Sequence, residues 1–417
     1  LTAFNTPSFL PGSIIYEVNL RQFTPAGTIA AFMEHLPRIK NMGADILWFM
    51  PIHPIGEQNR KGSLGSYYSI RDHREVNPEF GTRDDFRELV TRVHEAGMKL
   101  VIDWVANHTA WDHIWTKEHP DFYVRNDSGQ FISPFDWTDT IQLDHANTAQ
   151  QEAVIGAMEY WVREFDIDGF RADMAHLVPL EMWVRARQKT EAIKPSLIWL
   201  AETEDPAYHA AFDISYAWKW MHFTERFLRD QLPVSTLCDF LRQQWSSLPE
   251  GAFQMYFTSN HDENSWNGTE YDKYGMYAQA LALACFTLPR SVPMIYGGQE
   301  IPLTSRLPFF DKAGMEWPSV LRAGSFYSSL CAYRRNGLAA GEFRFLDAPE
   351  GILAYRRTAG EADEWVAMNL GRKEAPLSCE GIHGRYLDVL KQETLVCNGS
   401  FERLLMPGDC LLLVRQV

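Results

Sequence analysis

The sequence predicts an α/β protein: a (β/α)8 TIM barrel over residues 1–340 with a short loop insertion after strand 3, then a C-terminal antiparallel β-sandwich domain at 341–417. Three observations predict it. Eight short apolar runs alternate with segments of helical period. Four of those runs end in, or run into, carboxylates. After Gly341 the texture changes to alternating runs separated by Gly, Pro and Asn.

The runs, rich in β-branched and aromatic residues, lie at 13–20, 44–50, 99–104, 168–171, 197–201, 212–217, 253–259 and 291–296. Between them, 28–42, 83–97, 149–165 and 274–287 carry apolar residues at helical spacing, and Gly81-Thr82 and Gly97 bracket the second of these as caps should. Strand-helix alternation of this kind packs a parallel sheet between helices, and eight units close a barrel. A length of 417 residues suits one such barrel plus a smaller unit. One connection is unusually long: 107–147 is rich in Trp, His, Asp and Pro and reads as an inserted loop with short elements, the kind of segment that carries function at a barrel's catalytic face. Beyond Gly341, the runs 352–357, 364–370 and 410–414 alternate with a period of two, as antiparallel strands do. No internal repeat or low-complexity segment interrupts this order.

Composition excludes several classes. The formal net charge of −15, from 39 basic and 54 acidic residues, would repel a polyphosphate, so neither nucleic acid nor an anionic membrane is an expected partner. No stretch of about 20 apolar residues exists to span a membrane. The cysteines (238, 285, 331, 379, 397 and 410) form no CxxC or Cys/His pattern, so no zinc site is expected. The later ones permit a disulfide without implying it. The chain opens at Leu1 with no Met, basic n-region or apolar h-region, the start expected of a processed or trimmed chain, which leaves the compartment unknown: cytoplasmic, periplasmic or secreted.

The strand ends carry the chemistry. The third run contains Asp103 and is followed by Asn107 and His108; the fourth runs into Asp173; the fifth ends at Glu202; the seventh ends in Asn260, His261, Asp262 and Glu263. A lone Asp in such a place is ordinarily a turn former or cap. Four in register at the C-terminal face of one barrel is instead the arrangement that paired-carboxylate chemistry requires. Cleavage of a glycosidic bond with retention needs two carboxyls about 5 Å apart, supplied by different strands.

In order along the chain, "DWVANH", "GFRAD", "LAET" and "FTSNHDE" resemble the four motifs of the α-amylase family of glycoside hydrolases. "MPIHP" at 50–54, "YGGQE" at 296–300 and, more loosely, "QLDHAN" at 142–147 resemble its further motifs, so the resemblance covers essentially the whole chain. It implies a retaining hydrolase of α-glucosidic bonds, by default α-1,4, acting on starch-derived glucans or maltooligosaccharides. Asp173 then stands where the nucleophile would, Glu202 at the general acid/base, and Asp262 at the carboxylate that binds the 2- and 3-hydroxyls. Substrate-binding positions are His108 and His261 on hydroxyls of the same ring, Tyr68 in "GSYYSIRD" beneath it with Tyr67 as competitor, and Arg171. Arg171 lies two residues before Asp173, on the same strand face, and its charge is expected to keep Asp173 ionised. The like charges of Asp173 and Asp262 are expected to raise the Glu202 pKa. Asp103 is expected to orient its neighbours. Some of the aromatics, 13% of the chain, are expected to form stacking platforms for sugar rings, the rest to pack the core.

The chain departs from the family in places. Many members hold calcium through the motif-one Asn and a His four residues past the nucleophile. Asn107 is present, but Leu177 stands at the second position with His176 one residue early, and the insertion is short. No cofactor is therefore required on this reading, and calcium is not favoured. Asp112 and His113 in "NHTAWDHIW" are read as a hydrogen-bonded surface loop. Met174, after the nucleophile position, matches neither common linkage choice. Asp311 and Lys312 in "FFDKAGMEW" stand near where relatives grip the next sugar, without a catalytic role. The motifs leave open a glucan transferase or disaccharide isomerase of the same family, which differ in what intercepts the glycosyl-enzyme. A silent glucan-binding barrel is the remaining alternative, against which stand three intact carboxylates. The C-terminal unit is expected to pack on the barrel.

Overall fold

The computed structural model describes residues 4–337 and 341–416. Eight parallel strands close a barrel: β1 (Ile15–Val18), β2 (Ile46–Phe49), β3 (Lys99–Trp104), β6 (Gly169–Ala172), β7 (Ile198–Ala201), β8 (Ile214–Tyr216), β9 (Phe253–Tyr256) and β10 (Ser291–Tyr296), with β1 pairing both β2 and β10. Nearly every residue on these strands is buried, because side chains face either the barrel interior or the surrounding helices. That is why the runs read as continuous rather than alternating. Gly169 opens β6 where a Cβ would lie 2.1 Å from the carbonyl oxygen of Ile198 on β7, so no other residue lets the two strands approach.

The helices follow the predicted segments with two breaks. The 28–42 segment divides into Ile29–Met33 and Leu36–Met42, since Pro37 can only begin a helix and no helix runs through it. In the 274–287 segment Tyr274 ends a short helix, Glu270–Tyr274, Gly275 turns the chain at φ 53° into a 3-10 turn, Gly275–Tyr277, and the long α-helix begins at Ala278. The insertion contains a short antiparallel pair, β4 (His108–Ala110) and β5 (Thr140–Gln142), and it returns to the barrel where the Asn147 side chain caps the helix Thr148–Phe165.

The C-terminal unit is a six-stranded antiparallel sheet of β11 (Glu342–Phe345), β12 (Ile352–Ala359), β13 (Ala362–Asn369), β14 (Ala375–Asp388), β15 (Glu393–Leu405) and β16 (Cys410–Gln416), in the order β11-β12-β13-β16-β14-β15. The long β14–β15 ribbon shifts register between Glu380 and Ile382 and shares one core, including Ile352, Trp365, Leu377, Ile382 and Leu413, with the other strands. The opposite face, through Leu353, Tyr355, Val366, Met368 and Leu412, joins the barrel core. Each such side chain contributes about 1.5–3 kcal/mol by leaving water. Tyr277 Oη donates to the Gly371 carbonyl at 3.0 Å and Tyr333 Oη to Glu364 at 2.8 Å across the same junction. The boundary expected at 340/341 falls on residues 338–340, outside the described residues. All six cysteines are free thiols. No described helix is long and apolar enough to cross a membrane.

Candidate active site

At the C-terminal ends of the barrel strands lies a cavity of about 410 Å³ lined by Tyr68, His108, Asp173, Met174, Glu202 and Asp262, with an aromatic rim of Trp137, Trp266, Phe309 and Phe310. Strand register sets its floor. Ala172 pairs with Ala201 across β6 and β7, so the next residues, Asp173 and Glu202, emerge side by side. Backbones of paired strands run about 4.8 Å apart.

Arg171 is the centre of the cluster. Fully buried on β6, its Nη1 donates to Asp103 Oδ1 at 2.8 Å and to Asp173 Oδ1 at 3.0 Å, its Nη2 lies 2.9 Å from Glu202 Oε2, and its Nε donates to Tyr216 Oη at 3.0 Å. Its guanidinium also stacks over Trp48 at 5.1 Å. One planar cation thus serves three carboxylates, a task for which the fork of arginine is suited. Met174, which follows Asp173, takes a left-handed conformation and turns its backbone N–H onto Glu202 Oε2 at 2.8 Å.

Burial pushes both Asp173 and Glu202 up to about 7, with Arg171 opposing in each case. Asp173 and Asp262 add to the rise at Glu202, so the like-charge effect expected from the sequence is present, but exclusion of water is the larger cause. Arg171 likewise restrains Asp173 without bringing it down to the ordinary carboxylate range. The two carboxyls share one cation, and each is raised above the ordinary carboxylate range by exclusion of water. Asp262 behaves differently. Burial works to raise it, but the adjacent His261 outweighs burial and holds it low. It is also the most open of the three, its side chain 34% exposed against 9% for Asp173 and for Glu202.

Tyr68 lines the cavity, and its Oη donates to Asp103 Oδ2 at 3.1 Å and lies 2.7 Å from His261 Nε2. Tyr67 faces away, donating to Asn19 under Arg21, so of the two candidates Tyr68 is the one at the cleft. His108 stands against Trp137 with burial holding its pKa down at about 3, which keeps it neutral. Of the residues expected from the motifs, Tyr68, His108, Asp173, Glu202 and Asp262 line one cleft, and the buried Arg171 and His261 lie against them. Asp311 and Lys312 do not: Asp311 accepts from the backbone and hydroxyl of Ser63, and Lys312 reaches the Ala26 carbonyl.

Three features had no counterpart in the motif reading. Glu17, buried on β1, lies 2.5 Å from His261 Nδ1. The aromatic rim has Trp266, half exposed, on a π-helical turn, Glu263–Asn267. Lys61 and Asp139, 3.1 Å apart, bridge the loop before Tyr68 to the insertion. A charged residue inside the four-residue strand "IYEV" was the one visible signal.

Two residues bear on the family's calcium site, Asn107 and His176. His176 is exposed on the turn Ala175–Leu177, the Asn107 amide lies 3.4 Å from His108 Nδ1, and no group of three His, Cys, Asp or Glu among the described residues is arranged to hold a metal. Asp112 accepts the Glu57 N–H and faces Arg71, while His113 Nδ1 accepts the Trp115 N–H.

The family model for the alpha amylase catalytic domain matches residues 14–321. An alpha-1,4-glucan:maltose-1-phosphate maltosyltransferase of Pseudomonas aeruginosa is 30% identical over 309 residues, 68% of this chain and 45% of that protein. Alpha-amylase 3 of Dictyoglomus thermophilum is 25% identical over 350 residues, 73% of this chain and 67% of that protein. The chain thus spans less than half the length of the first of these relatives. Among solved structures, a maltogenic alpha-amylase from Thermotoga neapolitana superposes with a TM-score of 0.89 at 30% identity, covering 98% of this chain and 99% of the other. An alpha-amylase from Lactobacillus plantarum gives 0.90 at 30% identity, covering 98% and 100%.

Proposed function

Because the chain belongs to the α-amylase family, we propose that it is a retaining hydrolase of α-glucosidic bonds, most simply α-1,4 bonds in starch-derived glucans or maltooligosaccharides. The observation that carries this reading is the shared guanidinium of Arg171, which holds Asp173 and Glu202 on adjacent strands in register. Strand spacing of about 4.8 Å matches the carboxyl separation of about 5–5.5 Å that retention needs.

In this mechanism Asp173 Oδ attacks the anomeric carbon as the glycosidic C–O bond breaks, and the proton on Glu202 passes to the leaving oxygen. Glu202, now a carboxylate, then takes a proton from water. The resulting hydroxide attacks the anomeric carbon and releases Asp173. Arg171 donates a hydrogen bond to Asp173 but makes only an ion pair with Glu202, which favours Asp173 as the ionised member of the pair. Asp262, the most open of the three carboxylates, is placed for the ring hydroxyls, with the neutral His108 and with His261 beside it.

Transfer to a sugar hydroxyl uses the same first step, and two of the relatives above differ on this point by name. The lining of the cleft favours a neutral donor over a sugar phosphate. Asp136, Asp139, Asp173, Glu202 and Asp262 are there with Lys61 as the single cation among the described lining residues, and Lys61 pairs with Asp139. A timed chromatographic profile on maltoheptaose tests the reading, with Asp173→Asn as control. Only shorter maltooligosaccharides, and none from the variant, are expected. Longer products would make the enzyme a transferase, and full turnover by the variant would remove Asp173 from the mechanism.

A further inference from the structure

Glu17 has no place in the steps above, yet it occupies the middle of the barrel. Its strand neighbours Ile15, Tyr16 and Val18 are apolar or aromatic and fully buried, as it is itself. A carboxylate in such a position is strongly disfavoured unless it is paired. Its one side-chain hydrogen bond is the 2.5 Å contact with His261 Nδ1, and Oε2 has no hydrogen-bond partner among the described residues.

The other side of the His261 ring is equally constrained. Tyr68 Oη donates to Asp103, so its oxygen can only accept from His261 Nε2 at 2.7 Å, and Asp262 Oδ2 lies 3.1 Å from the same nitrogen. Both ring nitrogens therefore face acceptors. A neutral imidazole would turn one lone pair against a carboxylate or against Tyr68.

We propose that Glu17 is a positioning residue for the reaction: from β1 it holds a proton on Nδ1 of His261, so that Nε2–H is always present to hold Tyr68 Oη and Asp262, which line the cleft. The inference rests on the hydrolase reading for what His261 does to a sugar, but not for the state of the ring. The charged and titratable groups around His261 are Glu17 on β1, Asp103 on β3, Arg171 on β6, Asp262 beside it and Tyr68, with Tyr216 and Tyr296 close to Glu17. Arg171 opposes a second cation. Burial does so too, yet Asp262 and Glu17 together hold the imidazolium well above the ordinary histidine range. Burial alone would push Glu17 upward, and His261 draws it back. Glu17 thus lets a fully buried histidine keep a donor at a pH where an ordinary one would lose it, and it holds the ring by the nitrogen that substrate never reaches.

The test reads the ring directly. In the full chain labelled with 13C and 15N in histidine, the His261 resonances, assigned by their loss in His261→Gln, are followed from about pH 5 to about pH 9. The parent is expected to stay doubly protonated throughout. In Glu17→Gln, which keeps the shape and an acceptor oxygen, His261 is expected to deprotonate within that range. The alkaline limb of kcat/KM should move acidward by about one pH unit, mainly through kcat, and Glu17→Asp should restore much of the charge. A neutral His261 in the parent at neutrality, or an unchanged titration in Glu17→Gln, overturns the proposal. Should Glu17→Gln not fold, the parent titration and Glu17→Asp still decide it. A parent with a charged His261 but no activity on glucans would overturn the hydrolase reading and leave the role of Glu17 standing.

Discussion

Met174 donates its backbone N–H to Glu202 Oε2 across 2.8 Å from a left-handed conformation, φ 41° and ψ 48°. For a long side chain that conformation costs about 1–2 kcal/mol, and strain of this kind persists where surrounding contacts fix it. Its effect is to occupy Oε2, which also faces Arg171. Oε1 is then the oxygen of Glu202 left to carry a proton into the cleft.

The pH dependence of Glu202 follows from its burial. Its carboxyl titrates at about 7 in the fold, above the ordinary value, so the protonated form stabilises the fold and that contribution is lost as pH rises through about 7. Activity should fall over the same interval, since the acid form is consumed. Glu202→Gln cannot ionise. Its melting temperature relative to the parent should therefore rise by several degrees between about pH 5 and about pH 8. Calorimetry at the two pH values checks this, and a difference that does not change with pH would remove the buried ionisation from the account.

Arg171→Lys keeps a positive charge but not the fork. A lysine ammonium cannot meet Asp103, Asp173 and Glu202 together while also reaching Tyr216. At least one buried carboxyl loses its partner, at a cost of about 3–5 kcal/mol. Urea unfolding should show that loss, and kcat/KM should fall by at least about 100-fold. A stable, active lysine variant would mean that charge alone, and not geometry, holds the cluster.

These residues were readable in the sequence because a parallel barrel puts one strand end after another on the same face. Asp103 lies near the end of an apolar run, Asp173, Glu202 and Asp262 follow theirs, and closure of the sheet does the rest. The break of the 28–42 segment was also written in Pro37. Other features depend on partners far away in the chain. Glu17 becomes interpretable only when β1 and the loop after β9 are brought together, 244 residues apart. The orientation of Tyr68 over Tyr67 is settled by Asp103 and Asn19, neither of which is near in sequence. Trp266 reaches the cleft from a π-helical turn whose carbonyls at Ser265 and Trp266 are held by Arg306, a tertiary contact with no periodic signature.

Chelation should do nothing measurable. His176 is exposed and the Asn107 amide lies against His108, and the expectation of a calcium-independent enzyme follows from those positions. Dialysis against EDTA is expected to leave both the melting temperature and the rate on maltoheptaose unchanged. A drop in either, reversed by added calcium, would reveal a site built from other oxygens.

Trp266→Ala should separate binding from chemistry. The indole is half exposed at the cleft rim and its ring centroid lies 5.3 Å from Phe309, so removing it opens no core cavity. Stability should stay within about 0.5 kcal/mol of the parent. A sugar ring resting its C–H face on the indole would lose contact over roughly 40–60 Å². At about 25 cal/mol per Å² this is about 1–1.5 kcal/mol, or about a 5–10-fold rise in KM. Contacts made equally in the ground and transition states leave kcat alone. Michaelis parameters for maltotriose and maltoheptaose check this, with the larger effect expected on the longer chain, which reaches the rim. A fall in kcat at constant KM on both substrates would mean that Trp266 acts on the reacting ring, and the rim would lose its role as a platform.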